Sequence, residues 1–324
     1  LIANDYRRFN YTPYAYRTKD YGKTWARIVD ANDVDSYALS IIEDPENPNL
    51  MFLGTDDGLY VSFNAGEKWQ KWTEGFPTVS TKDLAIHPKE HDLVIGTFGR
   101  AAWVLDDIRP LRALASDKSI LNKEIDLFTP PTAYQAAYQQ PTGSRFGGDA
   151  MYQGENRKSG AMITYYLKEG KKKEDGTKDE DKEIASLASN DKDDVEKKED
   201  ASITDKPELT GVQKKDSVQF DFYDGDRLMR TLKYKTPEKA GFHRIYWGMD
   251  EKGGDRPSRK VQTKKNESSG VAVKPGTYTI KMMYGDLVEE RKITVKPDPR
   301  LEVSTTGISE VYTNGKLLES FMQE

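Results

Sequence analysis

A short phrase that occurs twice constrains this chain more than any other feature. Arg17–Trp25 reads RTKDYGKTW and Val61–Trp69 reads VSFNAGEKW. Both reduce to hydroxyl–x–(Asp or Asn)–x–Gly–x–x–Trp, carried by Thr18, Asp20, Gly22 and Trp25 in the first copy and by Ser62, Asn64, Gly66 and Trp69 in the second. The spacing describes a turn between two strands. One strand ends at the hydroxyl, and the Asx side chain accepts hydrogen bonds from turn amides two residues on. The glycine supplies a positive φ, and the next strand begins so that its Trp packs back under the turn. Asp20 and Asn64 are 44 residues apart, which is the length of a four-stranded propeller blade.

The surrounding segments repeat as well. Leu1–Tyr14 reads as a loop running into a strand at Ala15–Thr18. Ser36–Ile42, the turn cluster EDPENPN, Leu50–Gly54, the corner Asp56-Asp57-Gly58 and Leu59–Phe63 alternate as strands and turns, and Trp69–Thr73 closes the unit. The pattern then restarts: Leu84–Pro88 echoes Leu39–Pro45, Leu93–Thr97 echoes Leu50–Thr55, and Ala102–Leu105 echoes Leu59–Val61. Residues 1–110 thus hold the last two to three blades of a propeller, too few to close a ring of about four or more. The chain, which starts at Leu1, is therefore expected to be a piece of something longer. The remaining blades would come from the parent chain or from another chain, because an open sheet edge is an aggregation liability.

Beyond residue 110 the periodicity changes. Residues 111–160 read as a linker with a short helix around Leu111–Ala115 and a short strand in Asn122–Pro130. Six or so alternating strands between residues 161 and 300 describe a β-sandwich. Glu169–Asp216 interrupts them with blocks of Lys, Glu and Asp, such as KKKEDGTKDEDKE, and is expected to be a disordered insertion. The tail, 301–324, is expected to start a helix.

Composition bounds the function. A content of 36% hydrophobic and 32% charged residues beside 18 Tyr, 11 Phe and 5 Trp suits aromatic-rich β cores joined to a solvated segment. The net charge of −5 and the lack of a basic tract argue against nucleic acid or an anionic membrane as partner. With no Cys, disulfide scaffolds, thiol catalysis and Cys-ligated metals are excluded. No apolar run approaches the roughly 20 residues a membrane-spanning helix needs.

Each candidate for chemistry has a plainer explanation. Neighbouring carboxylates on a strand point to opposite faces, so neither Asp56-Asp57 nor Asp106-Asp107 makes an acid/base couple. Arg100 is either an anion or glycan contact at the propeller mouth or, with more weight, a strut between blades. His87 and His91 flank Pro88 and a turn rather than sharing a helix face, so no metal site is expected. His243 is expected to face solvent. Core packing accounts for Trp25 and Trp69, which leaves Trp72 the freest to stack on a ligand. No catalytic residue, cofactor or metal is assigned.

Thr18–Trp25 and Ser62–Trp69 resemble the Asp-box (BNR) repeats of sialidases and of sortilin-type propellers. The run DLVIGTFGRAAWVLDD at Asp92–Asp107 resembles the final blade of a large bacterial family, common in Bacteroidetes, whose members are called BNR-repeat glycosyl hydrolases or sortilin-like proteins. RLMRTL, KAGFHRIYWGMD and KPGTYTIKM resemble the immunoglobulin-like module that follows that blade, itself similar to part of the flagellar hook-capping proteins. The resemblance covers nearly the whole chain outside Glu169–Asp216. It implies an all-β chain: a partial Asp-box propeller followed by an immunoglobulin-like sandwich, in a periplasmic, outer-membrane-associated or secreted protein. Asn64, where Asp is usual, keeps the acceptor that the turn requires. A sialidase-like hydrolase would need an arginine cluster, a Tyr–Glu nucleophile pair and an Asp acid. The expectation is therefore a non-catalytic module recognising protein or glycan. The alternatives are a glycoside hydrolase with its catalytic residues in the missing blades, and a structural subunit of a surface assembly.

Overall fold

The computed structural model describes residues 1–136, 154–155, 157–170, 216–254 and 267–321. The expected charged insertion (except its ends) and the middle of the expected linker lie outside the described residues. The fold is mostly β. Its strands are β1 (Ile2–Asp5), β2 (Asn10–Arg17), β3 (Ala26–Val29), β4 (Ala38–Glu43), β5 (Met51–Thr55), β6 (Gly58–Ser62), β7 (Gln70–Lys71), β8 (Thr81–Ile86), β9 (Leu93–Thr97) and β10 (Ala102–Leu105). After helix α1 (Arg109–Ser116) come β11 (Ile125–Leu127), β12 (Ala133–Gln135), β13 (Ala161–Leu167), β14 (Ser217–Asp224), β15 (Arg227–Lys235), β16 (Gly241–Trp247), β17 (Asp250–Lys252), β18 (Ser269–Ala272), β19 (Gly276–Tyr284), β20 (Leu287–Pro297) and helix α2 (Thr305–Phe321). The N-terminal loop expected from sequence is instead the hairpin β1–β2, turned by a 3-10 segment at Tyr6–Arg8. Phe9, in a left-handed conformation, absorbs the reversal that an Asn-Gly pair would otherwise signal.

Contacts divide the chain into two units, the first made mainly of Leu1–Glu124. It contains three antiparallel sheets, ordered β1-β2-β3, β4-β5-β6-β7 and β10-β9-β8. The middle sheet is a meander, and every residue of β5 (MFLGT) and β6 (GLYVS) is buried. Strands apolar on both faces need cover on both faces, and the neighbouring sheets supply it. On one side Met51, Leu53, Tyr60 and Trp69 pack with Ala15 and Val29 of the first sheet. On the other side the approach is close. A Cβ on Gly54 would lie 2.7 Å from the Thr81 carbonyl oxygen and 2.2 Å from Ser40 Oγ.

Helix α1 starts with Pro110 in its first turn, where no amide partner is lost. It buries Leu111 and Leu114, and also Arg112. Arg112 Nε donates to Asp44 Oδ2 at 2.8 Å, and its Nη1 lies 3.0 Å from Glu46 Oε2 and 2.8 Å from His91 Nδ1. Asp44 Oδ1 meanwhile accepts from the Glu46 and Asn47 amides, and Asn47 Nδ2 donates to the Arg112 carbonyl at 2.9 Å. The EDPENPN turn is therefore the socket of the helix as well as a chain reversal.

In the second unit a five-stranded sheet runs β12-β20-β19-β14-β15, with β12 parallel to β20 and the other pairs antiparallel. Alternation along β19 turns Tyr278, Ile280, Met282 and Tyr284 inward. Phe222 stacks on Trp247 at 4.4 Å, and Trp247 meets Tyr278 edge-on at 5.8 Å. Strands β11, β13 and β16 form another sheet, and β17 pairs with β18. Helix α2 buries none of its residues. It is held by polar contacts: Tyr312 OH donates to Glu251 Oε1 at 2.6 Å, Lys316 Nζ lies 2.8 Å from Glu251 Oε2, and Glu319 Oε1 accepts the Val271 amide at 2.8 Å. Burial works to raise the Glu251 carboxyl. Hydrogen bonds from Arg227, Lys316 and Tyr312 outweigh it and hold the group down to about 2.

His243, expected to face solvent, is buried, with Nε2 3.0 Å from the Lys239 carbonyl oxygen. Its strand is covered on both faces there, since Gly241, Phe242 and His243 are all buried. Burial lowers its pKa to about 4 despite the backbone hydrogen bond. The unfolded chain therefore takes up this proton before the folded one does. The neutral imidazole's full contribution is present above about pH 6.5 and is lost as pH falls toward 4, by up to about 3 kcal/mol. Urea unfolding at pH 7.5 and pH 5 should show the loss, and His243→Gln should reduce this pH dependence. Gly54→Ala should destabilise by about 1–3 kcal/mol in the same measurement at pH 7.5, since backbone must give way.

Candidate binding surface

The two repeated turns are built alike. Gly22 N donates to Thr18 Oγ1 at 2.8 Å, Thr18 Oγ1 donates to Asp20 Oδ1 at 2.8 Å, and Thr24 N donates to the same carboxylate oxygen at 2.8 Å. In the second copy Gly66 N donates to Ser62 Oγ at 2.9 Å, Ser62 Oγ donates to Asn64 Oδ1 at 2.9 Å, and Lys68 N donates to Asn64 Oδ1 at 3.0 Å. The Asx side chain thus reaches the amide four residues on, which corrects the two-residue reach read from sequence. Tyr21 (φ 57°) and Gly22 (φ 88°) are left-handed in succession, as are Ala65 (58°) and Gly66 (86°). Left-handed backbone is uphill for Tyr and Ala; the hydroxyl and Asx acceptors hold it. Thr24, through side chain and amide, keeps Asp20 down to about 2.

The two indoles part company. Trp69 is 3% exposed, with Nε1 donating to the Ile28 carbonyl at 2.7 Å and its amide to Asp33 Oδ2 at 3.2 Å. Trp25, expected to be buried, is 48% exposed, and its Nε1 returns to its own turn at Gly22 O, 3.1 Å away. Strand β3 covers Trp69, whereas no described element covers Trp25 in the same way. Trp72, read as the freest indole, is buried. Its amide extends the β6–β7 pairing to Leu59 O at 2.8 Å, and its Nε1 donates to Glu74 O at 2.9 Å.

The carboxylate candidates are engaged. Asp56 accepts from Tyr37, which burial first and then this carboxylate push up to about 12. Asp57 pairs with Lys71, and its amide donates to Thr55 Oγ1 at 3.1 Å. Asp107, buried at φ 48°, accepts from Arg109, while its amide donates to Asp92 Oδ1 at 2.8 Å. His87 Nδ1 accepts the Glu90 amide at 3.0 Å, and His91 belongs to the Arg112 cluster. Among the described residues no group of His, Asp and Glu could hold a metal ion. Arg100 lies exposed on the β9–β10 tip, where its carbonyl accepts Trp103 Nε1 at 2.9 Å. Its guanidinium has no hydrogen bond or ion pair among the described residues, so the strut between sheets is not made.

The fold places three hairpin tips at equivalent ends of their sheets. The repeated turns join β2 to β3 and β6 to β7, which leaves the hairpins β1–β2, β5–β6 and β9–β10 at the opposite ends of their sheets. The first tip carries Tyr6, Arg7, Arg8 and Phe9. Tyr6 stacks on Tyr37 at 4.9 Å, Arg7 stands 5.9 Å from the Tyr6 ring, and Phe9 (φ 64°) is 84% exposed. The middle tip carries Asp56 and Asp57. The last carries Phe98, 74% exposed with Lys82 Nζ 5.7 Å from its ring, and Arg100. This set is masked in the sequence, because the polar, aromatic Leu1–Tyr14 stretch has a loop's composition and yet forms the hairpin β1–β2. The signal that could have shown it is an aromatic–Arg pair at two equivalent hairpins, YRRF and FGR.

A concavity of about 570 Å³ lies in the second unit and is lined by Met249, Val271, Val273, Ile308 and Tyr312 among others. It gathers no acid–base pair from these side chains.

Comparison with known proteins agrees with the first unit. Residues 14–109 match the family model described as Sortilin-Vps10, "Sortilin, neurotensin receptor 3", which is a BNR/Asp-box-like propeller family. No curated protein and no solved structure matches the chain. The contrast between the two indoles has a direct test. Trp69→Ala should lower stability by about 3–5 kcal/mol, while Trp25→Ala should lower it by less than about 1 kcal/mol, both read from chemical denaturation.

Proposed function

We propose that this chain supplies the last two to three blades of an Asp-box propeller and an immunoglobulin-like module, and serves as a non-catalytic binding or interaction part of a cell-envelope or secreted protein. The match of residues 14–109 to an Asp-box-like propeller family supports the first half of this reading. So does the correspondence of the sheets: β4–β7 is a four-stranded unit, while β1–β3 and β8–β10 repeat three of its strands each. Val94 and Val104, exposed on β9 and β10, are apolar surface suited to further blades. The β16 and β19 segments, with their stacked Trp247 core, support the second module.

The observation that carries the binding role is the contrast at the tips. Carboxylates that could serve catalysis are tied into turns and ion pairs, while large aromatic rings and cations stand exposed. Exposed aromatic residues with arginine are the composition of recognition surfaces. The partner is a protein or a glycan. The 324-residue chain, incubated with a panel of aryl glycosides and then passed over immobilised glycans and envelope proteins, should retain a partner and release no aglycone. Turnover that a single carboxylate substitution abolishes would show a hydrolase instead, and retention of a stoichiometric protein assembly with no glycan would favour the structural subunit.

A further inference from the structure

We infer that the hairpin tips form a docking surface for an acidic polypeptide segment that also carries large apolar side chains. The inference rests on the binding role just proposed and names the partner of that surface. Two of the three equivalent tips present the same two kinds of group, an exposed Phe and cations without an ion pair. At the first tip these are Phe9 with Arg7, and at the last Phe98 with Arg100 and Lys82. None of the three cations makes a hydrogen bond or ion pair among the described residues. Lys71, Arg17 and Arg112 of the same unit, by contrast, are occupied by Asp57, by Glu43 at 2.9 Å, and by Asp44 and Glu46. The unpaired charge at the first and last tips is positive, although the chain as a whole is acidic.

The rings are held out against the usual tendencies. Phe9, 84% exposed, stands on left-handed backbone that is uphill for a non-glycine residue. Its conformation is set locally by the Phe9 amide donating to the Tyr6 carbonyl at 3.0 Å. Arg7 over Tyr6 and Lys82 over Phe98 keep the cations beside ring faces, where a carboxylate can meet the cation while an aliphatic or aromatic side chain meets the ring.

A glycan fits less well. Sugar hydroxyls need acceptors as well as donors beside the ring that stacks on the sugar, and the Asn10, Asp56 and Asp57 acceptors at the first two tips are engaged internally. Asn10 bonds the Thr12 amide at 3.1 Å and Tyr14 OH at 3.2 Å, Asp56 is taken by Tyr37, and Asp57 by Lys71. What remains on offer is charge and apolar area, which is what alternating acidic and apolar side chains recognise.

The test is fluorescence anisotropy of the 324-residue chain with a labelled twelve-residue peptide of alternating Glu and Leu or Phe. A Lys-for-Glu version of the peptide and a polyuronate serve as controls. Saturable binding of the acidic peptide at low salt, weakened roughly tenfold by the pair Arg7→Glu and Arg100→Glu and by Phe9→Ser with Phe98→Ser, is the expected result. Thermal melts of these variants should match the parent, since all four side chains are exposed. Equal binding by parent and variants, or preference for the Lys peptide, overturns the inference. Binding of polyuronate without the peptide also overturns it, yet leaves the proposed binding role standing. Silence toward both, together with glycoside turnover, overturns the two readings together.

Discussion

The first unit depends on one contact that spans two sheets, the indole of Trp69 donating to the Ile28 carbonyl. The turn between β6 and β7 throws the ring toward β3, and the ring fills the space between Ala15, Val29, Met51 and Tyr60. Because a buried indole N–H must find an acceptor, the contact fixes position as well as filling volume. The left-handed pair Ala65-Gly66 is what aims the ring. A Cβ on Gly66 would stand 3.2 Å from Ile28 Cβ, so turn and neighbouring strand are fitted to each other. Local turn chemistry and inter-sheet packing are here one arrangement seen at two scales.

Much of this was legible from residues alone, and the reason is locality. Hydroxyl, Asx, glycine and Trp lie within eight residues of one another, so spacing expresses the geometry directly. The failures share the opposite property. Trp25 and Trp69 occupy the same place in identical patterns, and only the presence of a covering strand separates exposure from burial. Trp72 is drawn in by a pairing continued past a two-residue strand, which period-2 alternation cannot register. His243 is buried because both faces of its strand are covered at one end. Arg112 and Asp44 are separated by 68 positions, and each, read alone, is an ordinary surface charge. The aromatic–Arg tips lay in plain view but became meaningful only when strand pairing made their hairpins equivalent.

Charge is used in two contrasting ways in the first unit. Around Arg112 it is buried and matched: Nε bonds Asp44 while Nη2 lies 2.8 Å from the same oxygen, and Glu46, His91 and Asn47 complete the shell. Buried pairs of this kind contribute little net stability, yet removing one partner is strongly destabilising, so they act as registry devices. At the tips Arg7, Lys82 and Arg100 are exposed and have no ion pair among the described residues. A polypeptide that spends some charges on registry and leaves others unmatched has divided its surface into a part that specifies structure and a part open to encounter.

The attachment of α2 in the second unit has a further consequence. A helix whose residues are all at least partly exposed, with Val311, Leu318 and Phe321 facing outward, is fastened by Glu251, Arg227, Lys316 and Tyr312 instead of by apolar burial. Glu251 is itself buried at 4% exposure, and buried ion pairs are screened by salt far less than exposed ones. The helix is thus a latch that hangs chiefly on one desolvated carboxylate, and the loss of that anchor would release it while the sheets beside it stay packed.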